Sequence, residues 1–295
     1  MTLWLLILVR IVANPAANVL QKLLTRDGAS PLGVIFATHL LLTAACLPLV
    51  LMEPLPGRMD FWWNIGISAV MSVAGNSLLV YALRLGDLSL LGPINSYKAV
   101  VSLLPSLILL GEFPGPAALG GIGLIVAGSV LLAGDGGPRL GFGARLRMLG
   151  GSPGVRFRIG ALLVSATEAA FLKRAVLAAT PTAAFAWWSI LGAAAAGAMW
   201  LVARPAGERV EAPRRRSELT TTRYVYLTIA TGLMQYCTIA AIARFEVGPL
   251  LALFQISTIL SVFLGNRYFA EPHFARRLIG SAIMVAGAAT IVVCR

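Results

Sequence analysis

Apolar runs of about twenty residues recur along the whole chain, broken by short clusters of Pro, Gly and charge, a pattern that predicts helices. The runs fall near 3–23, 31–52, 62–83, 89–110, 115–134, 158–177, 183–203, 224–243, 247–269 and 274–294. Each is long enough to cross the hydrocarbon core of a bilayer, which takes about 20 helical residues. Backbone in lipid must satisfy its own hydrogen bonds, and a helix does so within one segment. The expectation is an all-α membrane protein of ten transmembrane helices. Composition agrees, because 58% of the 295 residues are hydrophobic and only 12% are charged, about half the charge of a soluble domain. A sizeable soluble domain is excluded.

The widest polar breaks are 134–157, rich in Gly and Arg, and 204–223, which contains Arg214-Arg215-Arg216. The first divides the chain into a five-helix repeat over 1–134, a basic linker over 135–157 and a second five-helix repeat over 158–295. Sliding the sequence by 159 residues lays Glu112, Gly121 and Val126-Ala127-Gly128 on Glu271, Gly280 and Val285-Ala286-Gly287. The same shift sets Asn76 opposite Gln235 and Ser102 opposite Ser261. An odd number of spans per repeat makes a tandem duplication an inverted one. Inverted repeats around a central cavity are a transporter architecture, with the ligand site near mid-depth and rocking exposing it to each side in turn.

The net charge of +12 does not call for a nucleic-acid partner, since the basic residues sit in short loops where membrane orientation explains them. Counted in the loops together with the ends of the adjoining runs, 17 Lys and Arg lie on the side that follows the odd-numbered helices and five on the opposite side. By the positive-inside rule both termini are then outside. Cys46, Cys237 and Cys294 all fall in apolar runs without metal-ligand spacing. The first apolar run is interrupted by Asn14, Pro15 and Asn18 and lacks a convincing cleavage site, so it reads as a span rather than a signal peptide. No nucleotide-binding loop, HExxH or GxSxG element is present, which indicates neither a cofactor nor an enzyme and leaves an ion gradient or exchange as the driving force.

Polar groups within the spans are the candidate chemistry. Lys98 lies mid-span in the fourth run, where an ammonium costs a few kcal/mol without a partner. With Asn95 and Ser102 on the same predicted helical face it suits an anionic or zwitterionic group, unless it is paired permanently with a carboxylate. Glu168, in the sixth run, is the acidic candidate: it could neutralise Lys98, hold a substrate ammonium or bind a coupling proton. Asn14 and Asn18 share a face of the first run; His39, Asn76, Gln235 and Gln255 fall at middle depths of four others. Together these groups predict a wet cavity, although each alone could be a packing contact. Trp62-Trp63 read as interfacial residues, whereas Trp188 could face a substrate cation. Glu112 and Glu271 end the fourth and ninth runs and are expected to cap the helices that follow them.

The stretch Tyr81-Ala82-Leu83-Arg84-Leu85-Gly86-Asp87-Leu88-Ser89, followed by Gly92-Pro93 and by Leu110-Gly111-Glu112, resembles the drug/metabolite transporter superfamily of EamA type, and Ala270-Glu271 echoes it. The resemblance implies ten helices, a cavity lined by helices 1 to 4 and 6 to 9, and both termini inside, opposite to the charge count. It also implies transport of small metabolites without naming one. The resulting expectation is a secondary active transporter of the cytoplasmic membrane. Its solute would be small and polar, an amino acid or similar zwitterion or anion. The alternatives are a flippase or exporter of an amphipathic or lipid-linked solute and, in another class, a membrane scaffold.

Overall fold

A computed structural model describes residues 3–95, 97–112, 120–121, 123–125, 127–128, 151–203 and 218–293. Every regular element among them is helical. The first three are α1 (Leu3–Arg26), α2 (Pro31–Met52) and α3 (Met59–Leu85); three short pieces follow, α4 (Leu88–Ile94), α5 (Tyr97–Val101) and α6 (Leu103–Leu110). After these come α7 (Pro153–Ala178), α8 (Pro181–Val202), α9 (Glu218–Ile242), α10 (Val247–Phe254), α11 (Ser257–Phe269) and α12 (Phe274–Val293). Seven stretches among the described residues are long and apolar enough to cross a membrane, Leu88–Leu110 and Val247–Phe269 each counting as one. The helices α7 and α12, of 26 and 20 residues, correspond to the sixth and tenth runs, α7 extending beyond its run at both ends. The fifth run and most of the basic linker lie largely outside the described residues, as do residues 204–217 of the second basic break and Cys294; α7 begins at Pro153, inside the expected linker.

The spans at 89–110 and 247–269 are not the continuous helices that hydropathy predicts. Around Asn95 the backbone tightens to three-residue turns, Asn95 N donating to Gly92 O at 2.9 Å and Lys98 N to Asn95 O at 2.8 Å. Around Gln255 it does the same, with Gln255 N on Ala252 O at 2.9 Å and Thr258 N on Gln255 O at 2.8 Å. Side chains compete with the ladder at both breaks. Gln255 Nε2 donates to Leu251 O at 2.6 Å, Ser257 Oγ to Phe254 O at 2.6 Å and Ser102 Oγ to Ala99 O at 2.9 Å. Irregular backbone at this depth is tolerated only where protein or a water-filled cavity satisfies it.

The other ends are conventional. Ser30 and Thr180 each precede a proline and accept from the backbone three residues on, at 3.1 and 3.0 Å, fixing the starts of α2 and α8. Both α6 and α11 end on a left-handed residue, Gly111 (φ 69°) and Ala270 (φ 49°).

Packing is reciprocal between the two halves of the sequence. The principal helix pairs are α3 with α7, α1 with α9, α2 with α8 and α4 with α11. Small residues permit the closest approaches. A Cβ on Gly75 would lie 3.5 Å from Ala161 O, and one on Gly154 would lie 3.3 Å from Gly86. A Cβ on Gly128 would meet Gly280 O at 2.8 Å, and one on Gly287 would meet Gly121 O at 2.6 Å. Polarity is turned inside out for a soluble protein. Leu8, Leu51, Ile108, Val202 and Phe263 are exposed, whereas Arg10, Asn18, Lys22, Arg158, Glu168 and Gln235 are buried. An apolar outside and a polar inside suit lipid as the solvent.

Ala270 occupies a conformation that costs an L side chain roughly 1–2 kcal/mol, part of which glycine returns as unfolded-state entropy. Ala270→Gly is expected to raise the thermal midpoint of the detergent-solubilised protein by about 1–3 °C. A fall would show that the Ala270 methyl group makes packing contacts worth more than the strain.

Candidate functional site

Three of the helices that pack across the halves, α1, α3 and α7, meet α9, α10 and the α4–α5 break around a cavity of about 100 Å³. From α1 come Arg10, Asn14 and Asn18, spaced by four residues and so on one helical face. From α3 come Ser72 and Asn76, from the α4–α5 break Asn95 and Lys98, and from α9 Gln235 and Thr238. The α7 face supplies Arg158, Ser165 and Glu168. The α7 charges that set it apart from an ordinary span are therefore partly those of the cavity wall.

Glu168 is 7% exposed and Oε1 accepts from Ser68 Oγ at 2.7 Å. Asn95 Nδ2 donates to Gln255 Oε1 at 3.2 Å, which joins the two helix breaks, and Asn14 Nδ2 reaches Ser257 Oγ at 3.4 Å. Arg158, 5% exposed, donates from Nε to Leu91 O at 3.0 Å. Arg10, 8% exposed, lies 4.3 Å from the centre of the Phe254 ring, and its Nε and Nη1 are buried without a hydrogen-bond partner. The ring face attracts the cation but accepts no ordinary hydrogen bond from those groups.

Two matching clusters close the bundle at opposite ends of the broken spans. At one end Glu271, just past α11, receives Leu88 N on Oε1 and Ser89 N on Oε2, each at 2.7 Å, at the start of α4. Lys22 Nζ bonds the same carboxylate at 2.6 Å and Gly86 O at 2.8 Å. Arg277 adds a bond to Asp87 at 2.9 Å and a contact with the Ser89 hydroxyl. At the other end Glu112, just past α6, receives Val247 N at 3.0 Å at the start of α10. Lys173 Nζ bonds that carboxylate at 2.5 Å and Phe245 O at 2.8 Å. Gly86, Leu88 and Glu112 stand 159 residues before Phe245, Val247 and Glu271. The bonds of Glu271 go to α4 and Lys22 and not to α12, which it was expected to cap, while the start of the helix after Glu112 lies outside the described residues. Each glutamate caps the broken helix of the other half, because an N-terminus with free N–H groups attracts a carboxylate that the chain delivers from across the bundle.

Residues 2–134 match the EamA-like transporter family. The match covers the first repeat alone, and the family is part of the drug/metabolite transporter superfamily. The chain is a multi-pass membrane protein. No curated protein matches the chain significantly. In fold it is similar to a protein solved by crystallography and described only as a crystal structure, with a TM-score of 0.62 at 18% identity over 95% of each chain.

In this EamA-like bundle seven candidates from the sequence line one cavity: Asn14, Asn18, Asn76, Asn95, Lys98, Glu168 and Gln235. Gln255 stands behind Asn95 as its hydrogen-bond partner. His39 and Trp188 lie apart from the cavity, packed on each other with ring centres 4.8 Å apart, and Trp62 and Trp187 meet edge to face at 4.7 Å. The predicted Asn95–Lys98–Ser102 face does not persist, since the breaks turn Ser102 into a fully buried residue bonded to its own backbone. Sequence reading missed Arg10 and Arg158. Arg10 was legible as an ionisable residue within a span, while Arg158 sits at what hydropathy makes a span boundary.

Burial raises the Glu271 carboxyl, but the bonds from Lys22 and Ser89 outweigh it and hold the group below the usual carboxylate range. Its folded-state pKa is depressed, so the stabilisation is present above the unfolded value of about 4.3 and is lost as pH falls through the folded one. Glu271→Gln is expected to lose about 3 kcal/mol at neutral pH, because Lys22 is left as a buried unpaired charge. Lys22→Met in that background should restore part of the loss in a double-mutant cycle of thermal unfolding. Additive effects of the two substitutions would show that the pair does not interact.

Proposed function

We propose that the chain is a secondary active transporter of the cytoplasmic membrane, moving a small polar solute with an anionic group by alternating access. In this reading its ten spans form two inverted five-span repeats. The observation that carries the reading is one central polar cavity flanked by two equivalent locks at opposite ends. Exchanging the first five spans with the last five maps the α1–α9 pairing onto α7–α3, and the Gly128–Gly280 approach onto Gly287–Gly121. It also maps the Glu112 lock onto the Glu271 lock. Such reciprocity is what a two-fold axis in the membrane plane produces.

The locks suit gating because they are polar. An apolar contact of similar area gains nothing by opening, whereas an ion pair opened to water exchanges its partners for hydration. Separating Glu271 from Lys22 and the start of α4 opens one end; separating Glu112 from Lys173 and α10 opens the other. The cavity binds solute with Lys98 and the arginines on its anionic group and with the amides of Asn14, Asn18, Asn76, Asn95 and Gln235 on its polar remainder. Glu168 is the coupling carboxylate. It is the acidic side chain on the cavity wall, and a proton on it changes the charge that the solute meets.

Two outcomes follow. With Cys46, Cys237 and Cys294 replaced and Ser165→Cys introduced as a cavity probe, a membrane-impermeant maleimide should label from opposite faces in Glu112→Gln and Glu271→Gln. Labelling from the same face in both, or no change in either, would overturn alternating access through these locks. Glu168→Gln should keep solute exchange in proteoliposomes but lose its response to an imposed pH gradient; an unchanged response would remove Glu168 from coupling.

A further inference from the structure

We propose that the central cavity takes a dianion, a small hydroxylated solute whose two negative charges sit on carboxylate or phosphate oxygens. The proposal rests on the reading of this cavity as the transport site and goes beyond it in fixing the charge of the solute. The charged side chains on the cavity wall are Arg10, Lys98 and Arg158 against Glu168, three cations and one carboxylate. Other carboxylates are committed elsewhere: Glu271 to Lys22, Glu112 to Lys173, Asp87 to Arg277, Asp27 to Arg223 and Asp60 to Arg58. Lys98 and Glu168 make no direct ion pair among the described residues, although their charges attract each other, and Glu168 accepts a bond from Ser68. Setting that carboxylate against one cation still leaves two.

Arg10 is the sharper observation. Its guanidinium is more than nine-tenths buried, lines the cavity and leaves Nε and Nη1 without a hydrogen-bond acceptor. A buried guanidinium with free N–H groups is the fork that a carboxylate or phosphate fills with two parallel bonds. The Phe254 ring holds the guanidinium by its face and leaves the N–H edge free. Arg158 spends Nε on a neutral carbonyl, which gives it no countercharge.

Charge balance then orders the solutes. A zwitterion leaves two positive charges uncompensated in a low-dielectric cavity, a monoanion leaves one and a dianion leaves none. The uncharged polar part of the wall is amide and hydroxyl, from Asn14, Asn18, Asn76, Gln235, Ser72 and Thr238, groups that both donate and accept and so match hydroxyls, beside an apolar part that includes Leu79, Leu172 and Met234.

The test uses the purified full chain with four probes at equal ionic strength: succinate, glycerol 3-phosphate, glutamate and glutamine. Each is scored by the shift in melting temperature and by counterflow in proteoliposomes. A dianion should stabilise the protein at lower concentration than glutamate by tenfold or more, and glutamine should do least. Arg10→Gln and Arg158→Gln should each weaken dianion binding at least tenfold. Arg10→Gln should melt no lower than the parent without ligand, since it removes an uncompensated charge; should one variant fail to fold, the other carries the comparison. Succinate and glycerol 3-phosphate tell a dicarboxylate site from a phosphate-ester site. The proposal is overturned by glutamine binding as tightly as either dianion, by dianion affinity unchanged in both arginine variants, or by no shift with either dianion. Arginine-dependent dianion binding without counterflow keeps the site and overturns the transport reading; counterflow of glutamine without dianion binding does the reverse.

Discussion

Glu112 and Glu271 each hold the start of a helix from the other half of the sequence, and much of the bundle is arranged by that exchange. A helix beginning inside a membrane protein presents N–H groups that lipid cannot satisfy. The carboxylate at the end of α11 meets this need at α4, and the one at the end of α6 meets it at α10. Each carboxylate is then balanced by a lysine from a third helix, Lys22 of α1 or Lys173 of α7. Four helix ends are thus tied by two short polar nodes. Buried ion pairs contribute little net stability compared with apolar replacements, which is why the proposed function reads the two nodes as reversible contacts.

The same nodes explain why the middle of the bundle can be irregular. With α4 and α10 anchored at their starts, both spans break at mid-depth, and the residues at the breaks, Asn95 and Gln255, bond to each other. The breaks free the α4–α5 turn to present Asn95 and Lys98 to the cavity between α1, α3, α7 and α9. Arg10, Lys98, Arg158 and Glu168 then line one largely buried space, in which charges interact more strongly than in bulk water. Local backbone irregularity, polar burial and charge concentration are three consequences of one arrangement.

Much of this was legible beforehand, for physical reasons. Span length follows from bilayer thickness, so the apolar runs marked α1, α2, α3, α8 and α9 directly. The 159-residue shift lays Glu112 on Glu271, and both stand just past a helix that ends on a left-handed residue. Lys98, Glu168 and the asparagines stood out because a polar residue in an apolar run is costly. Hydropathy is blind, however, to whether the backbone bonds three or four residues back, and so it could not show the breaks at Asn95 and Gln255. Nor does it tell a snorkelling arginine at a span end from Arg158 pointing inward. Arg10 was outvoted by its apolar neighbours. The partners of Glu112 and Glu271 lie 135 and 183 residues away, a pairing that no local pattern encodes, and His39 and Trp188 found each other rather than the cavity for the same reason.

The two nodes are equivalent in plan but not in strength. The Lys22–Glu271 side chains are 4% and 3% exposed, against 12% and 14% for Lys173 and Glu112. Among the described residues, Glu271 receives two backbone N–H groups and Glu112 one. Arg277 further ties α12 to Asp87 and Ser89 beside the first node. A drier pair with more bonds loses more on separation, since water must replace each bond and the desolvated charges are held by a lower dielectric. The Glu112 end therefore needs less free energy to open than the Glu271 end. In the proposed alternating-access reading, that difference would give the protein a resting preference, set by how many bonds each end must surrender.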